Sequence, residues 1–438
     1  MGVFKAYDIR GVYPNELDEQ FAYDFGRALV IFLDASTIIV GYDVRHSSPA
    51  LHKKFIEGVT DQGCNVKDIG LCSTNMLYFA ARREHAVMIT ASHTPKEYNG
   101  FKPCRKGAVP IGSESGLKEI EALVAQKKFP DVKKKGRVTT MDILKEFVDD
   151  VALYAAGIDR KMKVVVDAGN GAASIAVGEI ARKIGIEIVP LFFERDGNFP
   201  GRGPNPFLVG ATDALAKAVV KNNAEFGVAY DADCDRVFFV DEKGILIQPD
   251  FITALIAEQL LKQKPKATIL YDLRSSKAVR QRIETLGGNA LMTRVGHSFI
   301  KATMRETGAI FAGELSGHYY YASNSYADSG DITLVLMLGL VCSSKQKLSA
   351  LAAPLLTYFA SGEINFTVKD KQKVMQRLRE RYSTGTFSDL DGITIEFDDW
   401  WFNVRPSNTE PLLRLNIEAD TKALLDAKVA ELSNAIKA

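Results

Sequence analysis

The sequence has almost no net charge and no long hydrophobic run. Its 55 lysines and arginines balance 54 aspartates and glutamates, so the formal charge at pH 7 is +1. This balance gives no reason to expect a nucleic-acid or anionic-membrane partner, although it leaves room for a local basic cleft. The longest apolar stretch, 332–342, has 11 residues, which is too short to span a bilayer and predicts a buried helix. We therefore expect neither membrane nor nucleic acid as a partner.

Cysteine is scarce, and its spacing shows no pairing pattern. The five cysteines are scattered and form no C-x-x-C pair; they are Cys64, Cys72, Cys104, Cys234 and Cys342. This usage predicts free thiols in a reducing compartment. The opening MGVFKAYDIR reaches Asp8 and Arg10 before any long apolar run, which is unlike a signal peptide. We therefore expect a cytoplasmic protein.

The length and composition predict a folded chain with several domains. At roughly 100–200 residues per domain, 438 residues correspond to three or four domains. Hydrophobic residues make up 46% and charged residues 25%, which is typical of a folded soluble chain and excludes a disordered or collagen-like one.

Three segments share one pattern, in which an apolar, β-branched strand ends in aspartate and continues into a polar turn. The aspartates are Asp43, Asp167 and Asp272, and their separations of 124 and 105 residues are typical of domains rather than of short repeats. A second strand with a polar loop follows each of them, at 86–90, 226–230 and 309–312. Because open α/β sheets bind ligands at the carboxyl ends of strands, these loops are candidates for one shared cleft.

The C-terminal part follows a different pattern. Strand-like runs at 364–368 and 393–397 flank a charged helix at 371–381, a dense polar loop covers 405–414, and a last helix begins near residue 421. The adjacent tryptophans Trp400 and Trp401 are interpreted as core packing of this part.

The predicted fold class is α/β, with three similar mixed α/β sheet domains plus a C-terminal α+β domain around a central cleft. The predicted domains are 1–149, 150–247, 248–360 and 361–438.

The densest acidic cluster places Asp231, Asp233 and Asp235 at alternate positions of one turn. Carboxylates at this spacing can face one point, and three hard oxygen ligands suit Mg²⁺. A calcium-binding loop is excluded, because Arg236 occupies the sixth position, where that loop needs glycine. A solvated acidic turn and a phosphatase with an aspartyl nucleophile are the alternatives.

Ser92 is a candidate nucleophile in the polar loop 90–95. The chain contains no G-x-S-x-G motif, so an acyl hydrolase lacks its main support. Taken alone, this serine is more often a turn or helix-cap residue. Beside a magnesium site, however, its hydroxyl is suited to carry a phosphoryl group, because the cation neutralises the phosphate oxygens. His93 adjoins this serine and Lys102 follows it.

Two further polar segments have the composition of ligand-binding loops. The segment 405–411 combines a guanidinium, two hydroxyls and an amide, which together can bind a phosphate dianion. The segment 313–318 places Glu314 and Ser316 two residues apart, a spacing that suits vicinal sugar hydroxyls. Each segment can alternatively be an ordinary hydrogen-bonded turn.

Together, the four loops resemble those of the α-D-phosphohexomutase family, of the bacterial phosphomannomutase/phosphoglucomutase type. The resemblance covers essentially the whole length and includes the segments 6–11 and 196–200. It implies an enzyme that interconverts hexose 1-phosphate and hexose 6-phosphate through a phosphoserine and a bisphosphorylated sugar. Asn408 favours the mannose/glucose branch of the family, and mannose is the expected hexose, with glucose as a further candidate.

The resemblance also implies roles for individual residues. Ser92 would be the phosphoserine, and its phosphate would hold Mg²⁺ together with Asp231, Asp233 and Asp235. Lys102 would be the general acid/base, with His93, His297, Arg10 and Arg236 around the reacting centre. The sugar would be bound by Glu314, Ser316 and His318, and the phosphate that is not transferred by Arg405, Ser407, Asn408 and Thr409.

Three positions depart from the family pattern. Thr94 stands where asparagine is commoner, and Ala232 and Cys234 stand where glycine is usual. Because both of the latter residues tolerate positive φ poorly, altered loop angles are expected. A base at Lys102 also requires a lowered pKa, which positive charge on Arg10 and Arg236 would provide.

The expected ligands are a hexose phosphate, Mg²⁺ and hexose 1,6-bisphosphate as intermediate or activator, bound by a monomer or small homo-oligomer. Two other functions are kept as alternatives. One is a Mg-dependent sugar-phosphate phosphatase with Asp231 as nucleophile, and the other is a non-catalytic sugar-phosphate-binding protein.

Overall fold

The computed structural model describes residues 2–407 and 412–437. The chain divides into two compact units, one formed by Met1–Pro249 with Ser316–Ala350 and the other by Asp250–Leu315 with Leu351–Ala438. The finer boundaries predicted from the sequence stay predictions.

The first part of unit 1 contains a mixed sheet with the strand order β1-β5-β4-β2-β3-β7, and β6 pairs with β5. Its elements are β1 (Ile9–Val12), α1 (Glu19–Leu33), β2 (Thr37–Tyr42), α2 (Ser48–Asp61), β3 (Asn65–Leu71), α3 (Thr74–Ala81), β4 (His85–Ile89), β5 (Tyr98–Arg105), β6 (Val109–Pro110), α4 (Lys118–Gln126), β7 (Val138–Thr140) and α5 (Leu144–Ala152). Two of these helices begin after a capping side chain: Asp18 accepts from the Phe21 N–H before α1, and the Ser73 hydroxyl accepts from the Met76 N–H before α3.

Strand register in this sheet positions two basic side chains. Arg10 on β1 lies directly opposite Gly100 on β5, so the two residues share a face of the sheet. Lys102, two residues along β5, lies on the same face. A Cβ on Gly100 would lie 2.0 Å from the carbonyl oxygen of Ile9, so only glycine permits this close pairing.

The second part of unit 1 contains a mixed sheet with the order β12-β11-β10-β8-β9. Its elements are β8 (Lys163–Asp167), α6 (Val177–Ile184), β9 (Glu187–Leu191), α7 (Asp213–Lys221), β10 (Gly227–Tyr230), β11 (Val237–Val240) and β12 (Leu246–Ile247). Strands β10 and β11 are buried along their whole length, and the turn between them holds the acidic cluster.

Unit 2 begins with parallel strands in the order β14-β13-β15. The elements are α8 (Pro249–Gln263), β13 (Thr268–Asp272), α9 (Lys277–Thr285), β14 (Asn289–Thr293), α10 (His297–Thr307) and β15 (Phe311–Gly313).

The predicted repetition of one strand–turn pattern is confirmed. In each of the three cases the strand that ends at the aspartate pairs in parallel with the second strand. The paired residues at the carboxyl ends are Tyr42 and Ile89, Asp167 and Ala229, and Tyr271 and Gly313. The polar loops therefore emerge at the same edge of each sheet as the strand-terminal aspartates.

The chain then returns to unit 1 with β16 (Tyr319–Tyr321), the antiparallel β17 (Ala327–Asp328) and α11 (Gly330–Ser344). Residues 330–342 of α11 are all buried, which confirms the predicted core helix. Among the described residues no single helix has the length and hydropathy of a membrane span, and one bent pair, Gly330–Ser344 with Leu348–Leu355, meets that criterion only when the two are taken together. The short α12 (Leu348–Ala352) follows.

The C-terminal part of unit 2 is an α+β structure with the strand order β18-β23-β22-β21-β20, and β19 pairs with β23. Its elements are β18 (Phe359–Ala360), β19 (Ile364–Phe366), α13 (Lys371–Arg381), β20 (Thr386–Ser388), β21 (Ile393–Glu396), β22 (Trp400–Pro406), β23 (Leu413–Ala419) and α14 (Lys422–Lys437). Helix α13 covers the residues predicted from the charge pattern, and the side chain of Asp370 caps it.

The two tryptophans are buried as predicted. Trp400 stacks on Phe397 with ring centroids 4.7 Å apart and belongs to the core of this part. Trp401 donates from Nε1 to Glu418 at 2.9 Å. The predicted polar loop 405–414 is shorter than expected, because β22 continues through Pro406 and β23 begins at Leu413.

Candidate active site

Ser92 lies in the loop after β4 and has a strained backbone. Its φ is +50°, in the left-handed region, which costs a non-glycine residue roughly 1–2 kcal/mol. Its N–H donates to Thr90 Oγ1 at 2.9 Å, and that hydroxyl donates to Asp43 Oδ2 at 2.7 Å. The serine is 1% exposed. The strand-terminal aspartate of the first repeat thus supports the serine loop.

Arg45 holds the same loop through its main chain. This guanidinium is 1% exposed and pairs with Asp43, with Nε 3.2 Å from Oδ2. Its two terminal nitrogens donate to the carbonyl oxygens of Ser92, Thr94, Pro95 and Tyr98. No role was predicted for Arg45 from the sequence, where the one signal is its position two residues after the strand-terminal aspartate.

The three carboxylates of the acidic turn converge as predicted. Asp231 and Asp233 are 0% exposed and Asp235 is 2% exposed, and one oxygen from each lies within 4.8 Å of the others. The hydroxyl of Ser92 donates to Asp231 Oδ2 at 2.8 Å. The loops that follow β4 and β10 therefore bring a hydroxyl and three carboxylates to one buried point.

The backbone angles of this turn show which of the two residues at usual glycine positions is strained. Cys234 adopts a φ of +73°, in the left-handed region, whereas Ala232 keeps a negative φ. The expected strain therefore falls on Cys234 alone.

Lys102 links two of the carboxylates. Its Nζ lies 2.6 Å from Oδ2 of both Asp233 and Asp235. Burial lowers the pKa of this ammonium, but attraction to Asp233 and Asp235 more than offsets that effect, so the pKa is raised. The expected lowering of the Lys102 pKa is wrong for this arrangement, because the neighbouring carboxylates outweigh the neighbouring guanidiniums.

The two arginines that were predicted to lie around the reacting centre border the same carboxylate cluster. Arg236 donates from its N–H to Asp231 Oδ1 at 3.2 Å, and its Nε lies 3.8 Å from Oδ2 of the same residue. Arg10 pairs with Asp8. Burial lowers the pKa of this guanidinium, but Asp8 and the more distant Asp233 raise the pKa by more than burial lowers it, so Arg10 is charged. Both residues can neutralise negative charge that develops beside Ser92.

His93 is a neutral neighbour of the serine. Its Nδ1 lies 3.4 Å from Ser92 Oγ. Burial, with the positive charge of Arg236 and Arg10, holds the pKa of this imidazole well below its usual value.

His318 stands between two carboxylates. Its Nε2 lies 3.4 Å from Asp235 Oδ1 and 3.7 Å from Asp328 Oδ2, and its Nδ1 lies 2.9 Å from Ser316 Oγ. Asp328 was not among the residues predicted from the sequence. This aspartate belongs to β17, and only the folded chain shows its proximity to the acidic turn.

The electrostatics of the turn fit a divalent cation. Burial, with repulsion by Asp233 and Asp235, raises the pKa of Asp231 well above its usual value. Burial would also raise the pKa of Asp235, but Lys102 and His318 hold it well below that value. Among the described residues, Oδ1 of Asp233 is buried and has no hydrogen-bond partner. An oxygen-only donor set with a free buried carboxylate oxygen suits Mg²⁺.

Glu314, which the sequence predicts to bind the sugar, belongs to unit 2 and is 3% exposed. Its Oε1 lies 3.5 Å from the Arg274 guanidinium, which also pairs with Asp272 at 2.8 Å. Burial lowers the pKa of Arg274, but the attraction of Asp272 raises the pKa by more than burial lowers it, so this arginine carries a charge. No role was predicted for Arg274 from the sequence, although this arginine follows a strand-terminal aspartate as Arg45 does.

The residues predicted to bind the phosphate that is not transferred lie only partly within the described part of the chain. Arg405 on β22 lies directly opposite Arg414 on β23, and Glu363 pairs with both guanidiniums at 2.9 and 3.3 Å. The Ser407 N–H donates to the carbonyl of Leu412 at 2.9 Å. Asn408 and Thr409 lie outside the described residues.

His297 is the first residue of α10 in unit 2, directly after Gly296, whose φ is +122°. Its predicted place beside the reacting hydroxyl stays a prediction.

The chain matches four family descriptions in order along its length. They are phosphoglucomutase/phosphomannomutase alpha/beta/alpha domain I over residues 1–131, domain II over 145–244, domain III over 248–359 and the C-terminal domain over 363–435. These matches confirm the predicted fold class of four domains with mixed α/β sheets.

Individual relatives are similar over almost the full length. The chain is 40% identical to a phosphomannomutase of Vibrio cholerae, with 99% of this chain and 98% of the relative covered. It is also 40% identical to a phosphomannomutase of Methanocaldococcus jannaschii, with 99% and 97% covered. A crystal structure of a phosphoglucomutase/phosphomannomutase family protein from Burkholderia thailandensis has a TM-score of 0.92 at 31% identity, with 99% and 97% covered.

Proposed function

The chain belongs to the phosphoglucomutase/phosphomannomutase family, and on this basis we propose that it is a phosphosugar mutase that interconverts mannose 1-phosphate and mannose 6-phosphate. The observation that carries the proposal is the buried contact of 2.8 Å between the Ser92 hydroxyl and Asp231 within the acidic cluster. A nucleophilic oxygen against a cation-binding cluster is what phosphoryl transfer to serine requires.

The alternative functions receive no support. The relatives from Vibrio cholerae and Methanocaldococcus jannaschii, which match over almost the full length, are phosphomannomutases and not phosphatases. The charged side chains of the cluster are all present and converge, which a protein that only binds sugar phosphate would not need.

Mg²⁺ is the proposed cofactor. Asp231, Asp233 and Asp235 would hold it, together with an oxygen on Ser92. When bound, it would supply positive charge that neutralises phosphate oxygens, and by competing for Asp233 and Asp235 it would weaken the ion pairs that keep Lys102 protonated.

The proposed chemistry has two half-reactions. In the first, a hexose hydroxyl forms a new O–P bond as the O–P bond of phospho-Ser92 breaks, and the hydroxyl proton moves to Lys102. In the second, Ser92 Oγ takes the other phosphoryl group of the bisphosphate, and Lys102 returns the proton to the leaving sugar oxygen. Arg10 and Arg236 offset the negative charge on the transferring group.

The substrate is bound by groups that do not react. Glu314, Ser316 and His318 are proposed to contact sugar hydroxyls, and Arg405 with the segment 407–409 is proposed to bind the phosphate that stays in place. The charged Arg274 beside Glu314 extends this set. Bidentate guanidinium contacts would fix the orientation of a phosphate dianion.

Glucose 1-phosphate as a second substrate and hexose 1,6-bisphosphate as the intermediate are the finer parts of the proposal. The monomeric or small homo-oligomeric state and the cytoplasmic location stay predictions.

The decisive experiment compares turnover of mannose, glucose and glucosamine 1-phosphates with Mg²⁺ and follows the phosphorylated residue by mass spectrometry. We expect the highest rate with mannose 1-phosphate and a stable phosphate on Ser92. Release of inorganic phosphate with a labile phosphate on Asp231 would establish the phosphatase instead.

A further inference from the structure

The acidic turn contains a strained residue between two of its carboxylates. Cys234 has a φ of +73° and is 1% exposed, with Asp233 before it and Asp235 after it. Left-handed backbone at a residue with a Cβ is costly and persists only where surrounding groups hold it. The orientation of both flanking carboxylates depends on this peptide, so whatever holds it also positions them.

Two buried residues at the start of α3 hold this part of the turn. The Thr74 N–H donates to the Asp233 carbonyl at 2.9 Å, and its hydroxyl donates to Asp233 Oδ2 at 2.6 Å. The Asn75 amide donates from Nδ2 to the Cys234 carbonyl at 2.8 Å. Thr74 and Asn75 are 0% and 2% exposed, so water does not compete for these contacts.

The Asn75 amide is itself oriented from the opposite side. Its Nδ2 also donates to Asp331 Oδ2 at 2.8 Å, so both of its protons are used. Asp331 is 1% exposed, and its carboxylate oxygens lie 3.8 Å from Cys234 Sγ. A Cβ on Gly330 would lie 2.9 Å from the Cys234 carbonyl, so the glycine before Asp331 permits this packing.

We propose that Asn75, oriented by Asp331, is a positioning residue that holds Cys234 in its left-handed conformation and thereby sets the carboxylates of the acidic turn for a divalent cation. Neither residue touches the reacting atoms. Their function compensates for the cysteine at a position where glycine would adopt the same φ without strain. The inference rests on the proposed function only in naming the cation site as that of the mutase.

The test is a cycle of Asn75→Ala, Cys234→Gly and the double variant, with Mn²⁺ affinity measured on the free protein by electron paramagnetic resonance. Outer ligand-orienting groups typically change metal affinity by about 10–100-fold. We expect Asn75→Ala to weaken Mn²⁺ binding by about tenfold or more when Cys234 is present, and by less than about threefold when Cys234→Gly is also present. The same loss in both backgrounds, or no loss in either, would overturn the inference.

Asn403→Ala is the matched control, because Asn403 is 0% exposed and donates to the main-chain carbonyls of Asp391 and Ile393 in unit 2. It should lower stability without changing Mn²⁺ affinity. If Asn75→Ala does not fold, Asp331→Ala tests the same point, and its loss of Mn²⁺ affinity must also be suppressed by Cys234→Gly. Since Mn²⁺ affinity is read without turnover, a wild-type protein that lacks mutase activity but shows the coupling refutes the proposed function and leaves this inference standing.

Discussion

The hydroxyl of Ser92 donates a hydrogen bond of 2.8 Å to Asp231 Oδ2, across 139 residues of sequence. Each residue lies in a loop that follows the second strand of a parallel pair, and both residues are buried within unit 1. A hydroxyl held against a carboxylate cluster in this way has lost most of its freedom before substrate arrives, which is how a fold reduces the entropic part of a barrier.

Replacing Ser92 by alanine should abolish mutase turnover, with a loss of about 10⁴-fold or more, because the oxygen that carries the phosphoryl group is removed. The substitution deletes one buried atom, so the protein should remain folded. Turnover with mannose 1-phosphate and the mass of the phosphopeptide are the measurements. Ser36→Ala, at an exposed serine, is the control and should retain both. Undiminished turnover without the Ser92 hydroxyl would refute the scheme.

Replacing Lys102 by methionine should lower kcat by about 10²–10⁴-fold and change KM little, because the lysine moves a proton and does not grip the sugar. Lys102→Arg should not restore the rate, since a guanidinium does not lose its proton and cannot act as base. Lys96→Met, at an exposed lysine of the serine loop, is the control. A rise in KM with unchanged kcat would assign Lys102 to substrate binding instead.

Replacing Arg45 by lysine should reduce both stability and phosphorylation of Ser92. One ammonium cannot reach four carbonyl oxygens and Asp43 at once, so buried acceptors lose their donors. Breaking such a buried network typically costs about 3–5 kcal/mol. Denaturant unfolding measures the stability, and mass spectrometry measures the phosphorylated fraction after incubation with hexose 1,6-bisphosphate.

Arg83→Lys is the control for Arg45, because Arg83 pairs with Glu146 at an exposed site and should change neither quantity. Normal phosphorylation of Ser92 in Arg45→Lys would show that the guanidinium supports the fold without positioning the serine.

The strand–turn pattern predicted the repeated parallel pairs because both signals are local. An apolar run fixes the strand, and the aspartate with small polar residues ends it, as at Asp43 and Asp167. Helix α13 was predicted near residues 371–381 because its charged residues lie close together in the sequence, and the structure adds that the side chain of Asp370 caps it. Local chemistry determines these elements, so the sequence was sufficient for them.

The contacts that the sequence did not predict join residues that are distant along the chain. Asn75 and Asp331 are 256 residues apart, and nothing near either residue indicates the other. The sign of the Lys102 pKa shift was wrong for the same reason, since the outcome depends on which charges lie closest in the folded chain. Strands β22 and β23 extend into the predicted polar loop 405–414, where Glu363 on a separate segment pairs with the facing arginines Arg405 and Arg414.

Asp250, in the first turn of α8, should make the stability of unit 2 depend on pH. Burial, with repulsion by Glu418, raises its pKa to about 7. The unfolded chain has a pKa near 4 at this residue, so between about pH 4 and pH 7 the folded state binds more protons. The free energy of unfolding should therefore fall as pH rises through this range, by about 4 kcal/mol in total, and level off above it.

Asp250→Asn carries no titratable group and should escape this loss, gaining about 2–3 kcal/mol relative to the wild type between pH 5 and pH 8. The chain has 2 tryptophans, Trp400 and Trp401, and both lie in unit 2, so their fluorescence during denaturation reports on this unit. Glu284→Gln, at an exposed position of α9, is the control and should follow the wild type. Parallel pH dependences of Asp250→Asn and the wild type would show that the buried carboxyl titrates alike in the folded and unfolded states.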